Sequence, residues 1–186
     1  LTGVVTALAI EARIARKAAE QRQKQAEDLV AFMLTDLNDR LREVQRLDIL
    51  EAVDNQAMAY ISALPVNDGT DQTLALRSKA LQKIGNVRQD EGQLAAALES
   101  YLAASELGAE LLRRSPDDPE RQAAYAETLN HLGNAQYFQG DRDRALESFT
   151  RAAALLTRAT ATRPQDDWLE VLSSARTNAG RVLETR

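Results

Sequence analysis

Residues 132–149, "LGNAQYFQGDRDRALESF", decide the fold because they have a twin 48 positions earlier, "IGNVRQDEGQLAAALESY" (84–101). Laid over one another without a gap, the two stretches agree at 7 of 18 positions, where average composition would give about one. The same register continues outside them, pairing Ala104 with Ala152 and Pro116 with Pro164. Register held across a whole unit points to internal duplication. Taken alone, the stretch has the look of a functional loop. It carries Gly133, Asn134, Gly140 and the charged cluster Asp141-Arg142-Asp143-Arg144, beside the chain's only histidine, His131. Its twin repeats Gly133, Asn134 and Gly140 as Gly85, Asn86 and Gly92, which makes them parts of a structural repeat.

Composition predicts an all-α chain of one ordinary domain, or a small domain plus an extended arm. The 186 residues include only 4 prolines, 8 glycines and 3 phenylalanines. Unbranched side chains predominate, and these lose little rotamer freedom in a helix. Helix-like segments are expected at about 72–90, 93–114, 119–138, 141–162 and 167–185, divided by Gly92, "SPDDP", Gly140 and "RPQDD". Upstream, 11–28 reads as a solvated linker helix or weak coiled coil. Leu29, Met33, Leu37, Leu41 and Val44 then form an apolar stripe at helical spacing. Asp48 with Glu51 reads as a capping box for a second helix, and 65–71, "PVNDGTD", is the clearest boundary.

The repeat resembles the tetratricopeptide (TPR) unit, a helix–turn–helix whose signature is small and aromatic positions at fixed spacing. The first copy has Leu81, Ile84, Gly85, then Ala97, Tyr101, Ala104. The second has Leu129, Leu132, Gly133, then Ala145, Phe149, Ala152. A third begins in "WLEVLSSARTNAGRVLETR", with Gly180 matching Gly133 at an offset of 47. The period departs from the usual ~34 residues, and the tyrosine common near the end of helix A is replaced by Arg88 and Gln136. The resemblance therefore implies a long-repeat TPR-like α-solenoid of antiparallel helix pairs, preceded by a long N-terminal helix. Its parts would be a helix over 1–45, a capping helix and turn over 46–70, and repeats over 71–118, 119–166 and a partial 167–186.

On this reading the signature is about packing. Gly85 and Gly133 would let the second helix of each pair approach the first. Tyr101 and Phe149 would fill the space between successive pairs, and Gly92 and Gly140 would supply the turns. The resemblance further implies a concave groove for a protein or peptide partner. It would be lined by Lys79, Gln82, Lys83, Asn86 and Gln89, then Glu127, Asn130, His131, Asn134 and Tyr137, then Thr177, Asn178 and Arg181. Asn86 and Asn134 recur at one repeat position that often hydrogen-bonds ligand backbone. Gln82 stands where peptide-tail-binding members carry a carboxylate-clamping lysine. The plain alternative makes all of these ordinary solvated helix residues.

No catalytic constellation emerges, and no cofactor is expected. A lone histidine with no cysteine excludes a multi-histidine or thiolate metal site and makes zinc a poor expectation. "GDRDRALES" lacks the lysine and the glycine spacing of a phosphate loop. The acidic pairs Asp117-Asp118 and Asp166-Asp167 read as caps for the following helices, not as a calcium loop. With 23 basic against 28 acidic residues and no basic stripe, nucleic-acid binding is not expected.

The opening "LTGVVTALAI" is uncharged and followed by Arg13, Arg16 and Lys17. Ten such residues fall short of the ~20 that span a bilayer. They fit the trailing end of a truncated membrane span, or equally a helix start covered by a partner. The order of segments resembles bacterial membrane-anchored signalling proteins in which a kinase or TIR domain is joined to a repeat region. That would make the chain a membrane-associated, non-enzymatic scaffold on either side of the membrane. The competing reading is an oligomerisation stalk, in which the N-terminal helix makes a homo-oligomer and the repeats are spacers.

Overall fold

The structure, a computed structural model, describes residues 70–185 continuously and, before them, helical positions 11–15, 17–19, 21, 22, 25, 26, 29, 49, 52, 53, 56 and 59. Cα packing divides the chain into two units, Leu1–Val53 and Asp54–Arg186. In the first, the described positions are helical and mostly exposed, Ile14 and Leu29 among them. The uncharged start at 1–10, most of the apolar stripe, the Asp48 capping box and the turn at 65–69 lie outside the described residues. No described helix is long and apolar enough to cross a membrane.

Every described element is an α-helix. In the second unit these are α1 (Asp71–Asp90), α2 (Leu94–Arg114), α3 (Pro119–Phe138), α4 (Arg142–Thr162) and α5 (Asp166–Glu184). α3 begins 48 residues after α1, and α4 begins 48 after α2, so the sequence register is also the structural one. Each helix packs chiefly on its neighbours in the chain, and α3 additionally touches both α1 and α5. This nearest-neighbour order is that of a helical repeat array.

The hairpin turns are built identically. Gly92 and Gly140 hold φ of 78° and 86°, a left-handed conformation that costs glycine nothing. Around them Gln93 N donates to Arg88 O at 2.8 Å and Gly92 N to Gln89 O at 3.0 Å. In the second copy Asp141 N donates to Gln136 O at 2.9 Å and Gly140 N to Tyr137 O at 3.0 Å. That paired pattern is the Schellman motif, which satisfies the last carbonyls of the first helix.

Helix starts differ in one respect from the sequence expectation. Asp118 caps α3, accepting from Glu120 N at 3.0 Å and Arg121 N at 3.2 Å, with Pro119 in the first turn. At α5 the cap position is Gln165, which makes no side-chain cap bond. Asp166 and Asp167 instead occupy its first turn, where they favour the helix dipole without capping. α5 begins 47 residues after α3, one residue earlier in the 48-residue register, so the cap falls on Gln165, the counterpart of Asp117, and Asp166, the counterpart of Asp118, lies inside the helix.

α1 buries Leu74, Leu81 and Ile84, and one core cluster of the other four helices is rich in small residues. Ala97, Ala123, Ala126, Ala135, Ala152, Ala159 and Ala175 are buried around Tyr101, Leu129, Leu132, Leu156 and Leu172. Small side chains at these positions let neighbouring helices approach closely. A second cluster joins Ala145 and Phe149 of α4 to Val182 of α5.

The signature glycines work through rings rather than backbones. A Cβ on Gly85 would sit 2.5 Å from Tyr101 Cε1, and one on Gly133 would sit 2.7 Å from Phe149 Cε1. Each ring is thus seated inside its own hairpin, on the glycine of the preceding helix, as well as reaching the next hairpin. The replaced tyrosine positions also gain an explanation. Arg88 donates to Ser100 Oγ at 2.9 Å, and Ser148 Oγ donates to Gln136 Oε1 at 2.8 Å. Both copies therefore use a polar tie between the same two repeat positions.

Candidate groove between the first helices of each hairpin

The first helices of the hairpins, α1 and α3, leave a groove of about 430 Å³ between them. Lys79, Gln82, Lys83 and Asn86 of α1 and Glu127 of α3 all line it, so five expected partner-binding residues come together in one place. Ala75, Ala124 and Tyr125 contribute apolar surface, and Gly108 and Leu111 of α2 lie behind. At Gly108 a Cβ would meet Tyr125 Cδ2 at 2.7 Å, so glycine is what lets that ring lie flat on α2. Thr128 Oγ1 donates to Gln82 Oε1 at 3.1 Å, spanning the groove from wall to wall. Asn86 Oδ1 accepts from the Tyr101 hydroxyl at 2.8 Å, which fixes the amide and leaves its NH2 group for another acceptor. Burial, with a contribution from Asp90, pushes the Tyr101 phenol well above its ordinary value, so it stays a donor.

Charge is unevenly neutralised around this groove. Arg121 is held by Asp71 at 2.8 Å and Asp118 at 3.3 Å, and Arg114 by Asp71 at 3.0 Å and Glu110 at 2.7 Å. Glu120 pairs with Arg163. Lys79 and Lys83, by contrast, have no ion-pair partner among the described residues.

The remaining expected residues have other occupations. Asn178 Nδ2 donates to Asn130 Oδ1 at 3.3 Å, and Arg181 Nη2 donates to Asn178 Oδ1 at 3.0 Å. Arg181 also lies 4.8 Å from the centre of the Tyr137 ring, a cation–π distance. Asn130 Nδ2 reaches Ser174 Oγ at 3.5 Å. These residues bind α3 to α5, and Asn130 is buried where an open groove wall was expected. Gln89 Oε1 lies 3.5 Å from the Tyr101 hydroxyl. Asn134 is half-buried and Thr177 is exposed.

His131 does not face a ligand space as a solvated side chain. It is half-buried and stacked on Tyr101, with ring centroids 5.6 Å apart and planes 14° from parallel. Burial lowers its pKa, and Glu127 one turn earlier opposes that shift. Among the described residues no group of three or more His, Cys, Asp or Glu side chains is placed to hold a metal ion.

A second depression of about 480 Å³ lies between α3 and α5, with Ala123, Glu127, Leu156, Trp168 and Val171 around it. It is the repeat counterpart of the first. Lys79 becomes Glu127, Gly108 becomes Leu156 and Glu120 becomes Trp168 one repeat on. The geometry recurs, but the chemistry does not.

Sequence reasoning passed over Ala124, Tyr125, Thr128 and Gly108. Gly108 did carry a signal: glycine inside a helix is unfavourable by about 1 kcal/mol against alanine, and its repeat counterpart is a leucine. The chain matches no protein-family model and no curated protein.

Proposed function

We propose that this chain is a non-catalytic, TPR-like interaction module that binds a peptide or an extended segment of a partner protein between α1 and α3. The observation that carries the reading is the convergence of Lys79, Gln82, Lys83, Asn86 and Glu127 on one open groove with an apolar floor. Such a mix of apolar surface and a few polar groups suits recognition of a chain with its own backbone amides. Two hairpins repeated at a 48-residue spacing, packed through a core rich in small residues, set the two walls side by side. The wider setting, an interaction arm of a bacterial membrane-anchored signalling protein, is supported by the order of sequence segments alone.

The test is selection from a random dodecapeptide library against the folded chain, with every selected clone re-assayed on Ala124→Trp. Ala124 is exposed on the groove wall, so the indole fills the space without entering the core. Clones that lose binding on that variant support the reading. A selection yielding no such clone removes it.

A further inference from the structure

We propose that the α1–α3 groove reads acidic character: its guest is an internal peptide segment placing an apolar side chain on the floor and side-chain carboxylates against Lys79 and Lys83. The proposal rests on the interaction-module reading and adds the chemistry of the guest.

The argument begins with charge. The chain carries a net charge of −5, and acidic partners already hold Arg121, which lines the groove, as they hold Arg113 and Arg114 of α2. Among the described residues, Lys79 and Lys83 are the lining cations with no acidic partner. They stand four residues apart on α1, so their stems lie side by side about one helical turn apart. Two adjacent ammonium groups beside apolar surface repel one another, and a guest carboxylate relieves that repulsion.

The opposite wall limits which acids fit. Glu120 is neutralised by Arg163, which leaves Glu127 as the lining carboxylate with no ion pair among the described residues. The guest therefore presents its acids toward α1, and its apolar side chain toward Ala75, Ala124 and Tyr125. An uninterrupted acidic tract would meet Glu127.

A free C-terminal carboxylate is disfavoured by Gln82. Its Oε1 already accepts from Thr128 Oγ1 at 3.1 Å, so the centre of the groove offers an amide engaged with the protein instead of a cation. Only two cations without acidic partners line the groove, and its one lining aromatic among the described residues, Tyr125, is buried against Gly108 with no open face for a base, which likewise argues against a nucleic-acid strand.

The experiment measures fluorescence anisotropy of three fluorescein-labelled dodecapeptides with blocked termini. One has a central leucine flanked by glutamates, one has lysine for each glutamate, and one has alanine for the leucine. Binding is expected for the first. It should weaken on the order of tenfold with Lys79→Glu plus Lys83→Glu at low ionic strength, and strengthen with Glu127→Gln. Both variants change exposed or half-exposed side chains, and their helicity is checked by circular dichroism. Equal binding of the glutamate and lysine peptides, or no change in the double lysine variant, overturns the proposal. If the lysine peptide alone binds and is lost on Ala124→Trp, the groove reading stands and the acidic guest does not. If none of the three binds, the acidic guest is likewise overturned, and the library selection decides the groove separately.

Discussion

The imidazole of His131 lies almost parallel on the ring of Tyr101, joining the first helix of one hairpin to the second helix of the hairpin before it. Tyr101 is fully buried, seated on Gly85 and hydrogen-bonded to Asn86. One ring thus links the packing glycine, the groove amide and the neighbouring repeat. A residue that the sequence offers as part of a groove wall is in the fold a spacer between repeats.

That placement makes stability depend on pH in a defined direction. Burial lowers the His131 pKa below its ordinary 6.5, so the unfolded chain binds the proton more readily. The contribution of the neutral imidazole is complete above about pH 6.5 and is lost as pH falls through the lowered folded value. Denaturant midpoints measured between pH 8 and pH 5 should fall across this window. His131→Phe, which keeps a stacked ring, should flatten the fall; an unchanged slope in that variant would remove His131 as its source.

The three repeat glycines are expected to respond in opposite ways. Gly85→Ala and Gly133→Ala push a methyl group into Tyr101 and Phe149, whose rings are themselves buried and cannot retreat. Each should destabilise by about 1–3 kcal/mol. At Gly180 a Cβ would meet nothing within 4 Å, so Gly180→Ala should be neutral or stabilise by up to about 1 kcal/mol through helix propensity. Urea unfolding of the three variants compares them directly.

The Asn130–Asn178 bond is expected to hold α5 in place. Asn130→Ala leaves the amide of Asn178 without its acceptor and should cost about 1 kcal/mol. Amide hydrogen exchange should rise in α5 and stay unchanged in α1. Asn178→Ala should add little on top, because the two residues act as a pair; full additivity would mean the bond does not contribute.

At the other end, Asp71 bridges Arg114 and Arg121, and Glu110 takes Arg113 and Arg114. Hydrogen bonds from Arg121 and Arg114 hold the Asp71 carboxyl below its ordinary 3.8, and those from Arg113 and Arg114 bring Glu110 down to about 2 from 4.5. Because the folded values are depressed, this stabilisation is complete above the ordinary values and disappears as pH falls through the lowered ones. Acid unfolding of Asp71→Asn plus Glu110→Gln should therefore show a shallower acid limb than the parent. The groups are solvent-accessible, so the difference should shrink in high salt.

Much of the architecture is legible in the sequence. The expected segments at 93–114, 119–138 and 141–162 match α2, α3 and α4 to within a residue. Gly92 and Gly140 do make the turns. These features are local: propensity, a breaker and a cap act within one or two turns of chain. The acidic pair at 166–167 does not cap α5, because capping depends on a single backbone position and α5 begins one residue earlier in the repeat than α3 does.

The sequence by itself determined an all-helical chain, its 48-residue repeat and the turns within it, because these follow from short-range conformational preference and from identity between two copies. Only the tertiary structure decided what equivalent positions do. Lys83 and His131 occupy the same repeat position, yet one lines a groove and the other stacks on Tyr101. Gln82 and Asn130 are likewise equivalent, yet one spans the α1–α3 groove and the other ties α3 to α5. The physical reason is that a side chain's availability depends on what the neighbouring hairpin sets opposite it. The two neighbours of α3 are not the same.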